Sequence, residues 1–400
     1  MTTLATADPV EIAKDLAARI APTAAARDAD REPLDAEVQL LKDSGLLSLF
    51  VPRRFGGLDA NYRTALTAIS IVAEANPNIA HIPQAHHCGV ELLRFAEAVP
   101  PQEYYFPRIV AEGLLIPSAY SEIGTRTATD YKTVLTPKHD GSYTLDGEKF
   151  YVTGSRWGDA FFVPALIAGS DLTDGQSSLA VSFVDADAPG ITVAGDWDAM
   201  GQRGTASGSV SLRGVPVNPE FVLTGDLGGA SAYDYTGAHA QIIFCAIYLG
   251  TARAALRDAI GYVRERARPW IHSTAETAAA DPYIAHHVGS LDVMIEAGEA
   301  LLDRAADALD IARAELTAEA REAAAVAVSR AKVASSEAAV RVTNDIFQIC
   351  GSGSTRAKWA FDRHWRNMRT LTLHDPVDYK YKILGDYRLT GAPPPISGWS

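Results

Sequence analysis

The chain has 400 residues, is 47% hydrophobic and carries a formal net charge of −13. That is ample apolar material for two or three domains. The acidic balance, with no basic tract, argues against nucleic acid as a partner, and no uninterrupted apolar run approaches the ~20 residues of a membrane span.

Residues 8–115 read as helical. Asp8-Pro9 is an N-cap followed by proline at the first helical position. Ile12, Leu16, Ala17 and Ile20 then recur at helical spacing. Further helices are predicted over residues 34–47, 62–75 and 79–96, with breaks at Ser44-Gly45 and Asn76-Pro77-Asn78. The pattern changes near residue 115. Short β-branched and aromatic runs at 131–135, 142–145, 149–153, 161–167, 178–184, 191–194 and 209–217 predict strands. Asp140-Gly141, Asp146-Gly147, Asp174-Gly175 and Pro189-Gly190 are the turns between them. Strands without intervening helices indicate a β-barrel or sandwich.

From residue 230 the chain reads as helical again. One long helix is expected over 240–267, ended by Arg268-Pro269-Trp270. A second opens at Asp281-Pro282 and a third covers 316–350, with Thr317 as N-cap. A last helix over 356–371 leads into His374-Asp375-Pro376, where proline forces a break. Alanine recurs through 297–339; it favours helix and permits close helix approach. The fold class expected is α+β: an N-terminal helical domain (1–115), a middle β domain (116–228) and a C-terminal four-helix bundle (229–400).

No metal site is signalled. The three cysteines, Cys88, Cys245 and Cys350, are far apart with no C-x-x-C pair, which fits a reducing cytoplasm. The N-terminus lacks a basic-then-apolar leader pattern, and a cytoplasmic location is expected. His81 and His86 lie five apart in a predicted helix, a poor spacing for metal ligands. A lone His beside a helix break, as at His374, is by itself more often a solvated loop residue.

Three motifs change that reading. Tyr120-Ser121-Glu122, Lys149-Phe150-Tyr151-Val152-Thr153-Gly154 and Gly201-Gln202-Arg203-Gly204-Thr205-Ala206-Ser207 occur in order. They resemble the (T/S)-E, K-x-W-I-T-N and G-x-R-x-T-x-S segments of the acyl-CoA dehydrogenase superfamily, which has the same three-part order. The resemblance implies that Tyr120, Ser121, Tyr151 and Thr153 contact a flavin. It also matches Arg268 to a flavin-phosphate ligand supplied across a subunit interface. Gly353 stands where an Arg is usual, with Arg356 nearby to cover for it.

Typical members carry a catalytic Glu near the C-terminus, often as Y-E-G. Here the corner is Leu373-His374-Asp375-Pro376. With the run from Trp365 to Lys380, it resembles the reduced-flavin-dependent monooxygenases of the superfamily, the dibenzothiophene monooxygenase type. That implies reduced FMN, rather than FAD, delivered by a separate flavin reductase; molecular oxygen; a flavin C4a-hydroperoxide; a small, aromatic or heterocyclic substrate; and a homotetramer. The catalytic residues implied are His374, Thr153 and a helical His taken as His86, with His87 the alternative. Ala119 and Val90 stand where that group has Asn and Tyr, implying a less polar pocket. The competing readings are an acyl-CoA dehydrogenase with Asp375 as base, a flavin-dependent dehydrogenase or oxidase of a polycyclic natural product, and a flavin-free assembly protein.

Overall fold

Local signals set out the first helical region. The computed structural model describes residues 4–169, 179–224 and 231–400. The Asp8 carboxylate accepts from the Val10 amide, and Pro9 opens α1 (Pro9–Ile20), so an otherwise orphaned donor is satisfied. α2 (Ala24–Asp30) and α3 (Asp35–Ser44) follow, and α3 stops at Gly45, which takes a left-handed φ of 86°. Asn61 caps α4 (Tyr62–Ala75) and Asn76 caps α5 (Pro77–His81). α6 (Gln84–Phe95) and α7 (Val99–Glu112) complete the region. The continuous helix expected over 79–96 is therefore two. Pro83 lies between them, has no amide to donate into α5, and so separates the elements.

Strands β1 (Val134–Pro137), β2 (Tyr143–Lys149), β3 (Ala160–Ile167), β4 (Leu179–Asp185), β5 (Ile191–Val193), β6 (Val210–Val217) and β7 (Val222–Thr224) form one sheet. Its order is β5-β6-β2-β1-β3-β4-β7. Among these strands only β1 and β3 pair in parallel. Val184 of β4 and Val210 of β6 share one apolar core with Leu135 and Phe161, so the sheet curls around its own interior.

The two strands expected at 142–145 and 149–153 are one strand, and Asp146-Gly147 is not a turn. A Cβ at Gly147 would come 2.2 Å from Thr133 Oγ1. The register against β6 slips at this point, as a bulge requires. β2 then ends at Lys149, Tyr151 takes φ 56° and Gly154 φ 81°. Residues 150–154 thus turn off the sheet instead of extending it. The expected Asp174-Gly175 turn and the join at 228 fall outside the described residues.

The last region is α8 (Thr236–Glu265), α9 (Pro282–Glu315), α10 (Ala318–Cys350), α11 (Asp362–Leu371) and α12 (Val377–Thr390). Asp281 caps α9 and Thr317 caps α10. α4, α9 and α10 all pack along α8. α8 is long and apolar enough to cross a membrane, but 89% of its apolar window is buried within the protein. The buried alanines Ala305, Ala306, Ala324, Ala331 and Ala338 belong to the core shared with α8, so they serve close packing inside this chain. The helix expected over 356–371 forms only from Asp362; short 3-10 turns precede it. Beyond the His374 corner the chain is helical again as α12, an element that periodicity does not signal. The tail then folds back: Arg321 Nη1 donates to the Pro394 carbonyl at 2.7 Å, and Ser400 is buried.

Candidate active site

α11 ends at Leu371 and α12 starts at Val377, so His374 and Asp375 occupy the tight corner between two helices. The His374 ring lies against Phe244 of α8, centroids 4.5 Å apart. Its Nδ1 stands 3.4 Å from Asp375 Oδ1, and 42% of the side chain is exposed. Asp375 is buried and forms an ion pair at 3.0 Å with Lys332 of α10, whose side chain is only 1% exposed. The Lys332 ammonium lies 4.5 Å from the Phe244 ring and 5.1 Å from the Tyr248 ring. Burial opposes the Asp375 charge. The His374 hydrogen bond and the Lys332 charge outweigh it and hold the carboxyl well below the usual range.

A second imidazole meets the same phenyl ring. His81, the last residue of α5, has its ring 5.7 Å from Phe244. Its Nδ1 is 3.0 Å from Gln202 Oε1. Gln202 is buried, and its backbone amide donates to Asn367 Oδ1 of α11 at 2.6 Å. Burial lowers the His81 pKa to about 4, with His374 adding to the shift, so His81 is neutral near pH 7. Both imidazoles are held at Nδ1 by a side-chain oxygen, and among the described residues Nε2 meets no partner in either.

His86, expected as a catalytic residue, stands apart from this arrangement. It is wholly buried on α6, beyond the Pro83 break. Nε2 donates to the Leu47 carbonyl at 2.8 Å, and Nδ1 accepts from the Ile116 amide at 3.1 Å. With both nitrogens committed to backbone, it pins the Leu47 turn to the segment entering the sheet. His87 is also fully enclosed. The sign that distinguishes His81 is Pro83: once the helix breaks there, the two histidines no longer share one helical wheel.

The turn after β2 brings Thr153 to this seam. A Cβ at Gly154 would meet Ile82, the neighbour of His81, at 3.2 Å. Thr153 Oγ1 bonds Ser207 Oγ at 2.9 Å, Ser207 bonds Thr205 Oγ1 at 2.7 Å, and Thr205 donates to the Gln202 carbonyl at 2.9 Å. A row of hydroxyls therefore runs from Thr153 to the residue that holds His81. Tyr151 is exposed and its ring stands 6.0 Å from Trp197, whose Nε1 donates to the same Gln202 carbonyl.

Ser121 pairs with Phe150 through the Phe150 amide at 2.8 Å. The next residue, Glu122, forms a buried ion pair with Lys149 at 2.8 Å. Burial lowers the Lys149 ammonium to about 8 against the pull of Glu122. This pair fastens the first motif to the second and so fixes Ser121 beside Phe150. Tyr120 packs against Trp399 of the folded-back tail, centroids 5.9 Å apart, and the Trp399 carbonyl accepts from Lys380 Nζ.

Arg268 and Arg356 are not brought to this seam. Both are outside the core, and Arg268 follows the C-terminus of α8. At 1.5 Å per residue, that end lies about 30 Å along the helix from Phe244. A side chain at Gly353 would strike the Tyr262 hydroxyl, which lies 2.6 Å from where a Cβ would sit. Of the two residues expected to shape the pocket, Ala119 is buried in the sheet interior and Val90 in the helical core. A cavity of about 510 Å³ lined by Arg53, Arg94 and Arg313 lies elsewhere. Arg94 is paired with Asp59 and Arg313 with Asp310, so these two charges are already matched.

Comparison with known proteins agrees over most of the chain. The acyl-CoA dehydrogenase N-terminal domain matches residues 11–112, the middle domain 118–215 and the C-terminal domain 242–379. Dibenzothiophene monooxygenase of Rhodococcus qingshengii is 32% identical, covering 97% of this chain and 94% of that protein. The probable FMNH2-dependent monooxygenase SfnC of Pseudomonas putida is 34% identical, covering 97% and 96%. The crystal structure of FMN-bound TdsC from Paenibacillus sp. A11-2 superposes with a TM-score of 0.92 at 29% identity, covering 98% of this chain and 100% of that one.

Proposed function

The chain belongs to the acyl-CoA dehydrogenase family, in its dibenzothiophene monooxygenase-like group, and from that premise we propose an FMNH2-dependent monooxygenase. It uses molecular oxygen, a small substrate and reduced FMN from a separate flavin reductase. One observation carries the choice over thioester dehydrogenation. The carboxylate at the C-terminal corner, Asp375, is buried, ion-paired to Lys332 and held well below the usual range. A base so depressed is a poor acceptor for a carbon-bound proton near neutral pH.

The residues present fit a flavin. Gln202, which holds His81, has its Nε2 buried without a partner among the described residues, a donor of the kind a heteroaromatic ring edge satisfies. The hydroxyls of Thr153 and Ser121 and the rings of Tyr120 and Tyr151 add polar and stacking contacts on the sheet side. When bound, reduced FMN supplies the activation of oxygen.

The chain itself orients and protonates. His81 donates from Nδ1 to Gln202 Oε1 and, neutral near pH 7, presents a bare Nε2 that accepts a hydrogen bond from the bound ring or substrate. His374, anchored at Nδ1 by Asp375, lies against the same Phe244 ring with Nε2 bare to take up or release a proton. Because Thr205 gives its proton to Gln202, Ser207 donates to Thr205 and Thr153 donates to Ser207, which leaves the Thr153 oxygen to accept from the flavin side. Phe244 and Tyr248 keep the base of the site apolar, which excludes water. His81 takes the role expected of His86.

Arg268 and Arg356 act from a neighbouring subunit of a homotetramer. Trp270, Ile271 and Tyr283 support this: they are 71%, 81% and 76% exposed, close in sequence to Arg268, and unusual as a solvated apolar set. The free thiols of Cys88, Cys245 and Cys350 are consistent with a cytoplasmic location. The test is turnover with a flavin reductase, FMN, NADH and labelled oxygen. Label should enter organosulfur or heteroaromatic substrates only when all components are present. Bleaching of a tightly bound FAD by an acyl-CoA would refute the reading.

A further inference from the structure

Lys332 is a buried cation that the mechanism above does not use. It sits mid-way along α10, with its ammonium lodged between the Phe244 and Tyr248 rings and its ion pair to Asp375 at 3.0 Å. Among the described residues Nζ makes no directed hydrogen bond. A fully enclosed lysine is uncommon unless paired, and a buried ion pair is weak evidence for a stabilising role, since apolar residues of similar volume often do as well. Its placement is more informative. Asp375 has one oxygen, Oδ1, facing both Lys332 and His374 Nδ1, at 3.0 and 3.4 Å. The other, Oδ2, is 4.0 Å from Lys380.

We propose that Lys332, acting through Asp375, is a positioning residue that fixes the orientation and tautomer of His374. The proposal rests on the monooxygenase reading for its catalytic consequence, but not for its geometry. With Lys332 beside it, Asp375 stays a carboxylate and can only accept; His374 must then carry its proton on Nδ1 and keep Nε2 bare. Lys332 also braces the opposite side of the contact, because the Phe244 ring that supports its ammonium supports the His374 ring too. The 3.4 Å separation is long for such a bond, as is common before a ligand closes the site. The other titratable groups around this cluster are Lys380 on α12, His81 on α5, and Cys245 and Tyr248 on α8. Lys380 is lowered to about 8 by burial and adds a second cation on the far carboxylate oxygen.

The first readout needs no cofactor. Nitrogen-15 spectra of histidine-labelled, cofactor-free protein report which ring nitrogen of His374 carries the proton, with His374 assigned by its loss in His374→Gln. Wild type should show a protonated Nδ1 and a bare Nε2. Asp375→Asn should lose that pattern. So should Lys332→Met, and the double variant Lys332→Met/Asp375→Asn, which removes both members of the ion pair and leaves Lys380 on the Trp399 carbonyl, keeps the test open if Lys332→Met alone does not fold. Lys332→Arg should keep it. In turnover, product per oxygen consumed should fall at least about tenfold in Asp375→Asn and in the double variant, with KM for substrate changed less than about threefold. Wild-type nitrogen shifts in folded Asp375→Asn would overturn the proposal. So would altered shifts with product yield within about twofold of wild type. If wild type forms no oxygenated product, the monooxygenase reading fails instead, and the nitrogen shifts alone decide the Lys–Asp–His linkage.

Discussion

Nδ1 of His81 lies 3.0 Å from Oε1 of Gln202, a bond that joins the end of α5 to the loop between β5 and β6. It fixes the imidazole beside Phe244 with Nε2 bare. Replacing His81 by Ala should therefore reduce product formation by roughly tenfold, about the worth of one hydrogen bond to a charged group. Oxygen consumption should continue with hydrogen peroxide as its product. Unchanged product per oxygen in His81→Ala would exclude this role.

His86 should behave in the opposite way. Its ring satisfies the Leu47 carbonyl and the Ile116 amide, both buried. His86→Leu orphans the two groups and should cost on the order of 3 kcal/mol of stability. Activity per folded molecule should stay near wild type. Urea unfolding and turnover on the same sample separate the two effects.

Thr153 is expected to act through its hydroxyl alone. Thr153→Ser keeps the bond to Ser207 and should retain most activity. Thr153→Val preserves shape, leaves Ser207 short of a partner, and should lower product per oxygen by roughly tenfold, about the worth of one hydrogen bond to a charged group. Equal yields from Ser and Val variants would contradict this.

Acid should weaken the fold before the carboxylates titrate. Burial lowers His81, His86 and His239 from 6.5 to about 4 each. Between those values the unfolded chain binds more protons than the folded one, so stability is full above about pH 6.5 and falls as the pH drops toward about 4. The loss should be on the order of several kcal/mol. Asp375, depressed by its partners, adds a further loss only below its ordinary 3.8. Urea midpoints at neutral pH and at about one and two pH units below it measure the trend; a flat series would refute it.

Arg268 lies outside the core and far from Phe244 along α8. Arg268→Ala should leave stability within about 0.5 kcal/mol of wild type, as surface changes do, while weakening FMN binding. Mixed oligomers of Arg268→Ala and His374→Gln subunits should regain activity that neither variant has alone, because some sites then draw both residues from intact copies. No recovery on mixing would count against a shared site.

The sequence by itself was enough for the three-part order, the caps at Asp8, Asp281 and Thr317, and the corner at His374. These features arise from contacts between residues close along the chain or from simple periodicity. The three motifs were legible as well, though the strand reading extended β2 through Thr153 where a bulge at Gly147 and positive φ at Tyr151 turn the chain away. The difference between His81 and His86 is visible only in the tertiary structure. Both are histidines in a helical stretch, and what separates them is which nitrogen meets Gln202 and which meets backbone, partners between 30 and 121 residues distant. Lys332 was invisible for the same reason. In a helix rich in alanine and charge it reads as a solvated lysine, and only the packing of α10 against α8 and the corner buries it beside Asp375. Spacing encodes a helix face, but not which distant side chain that face will meet.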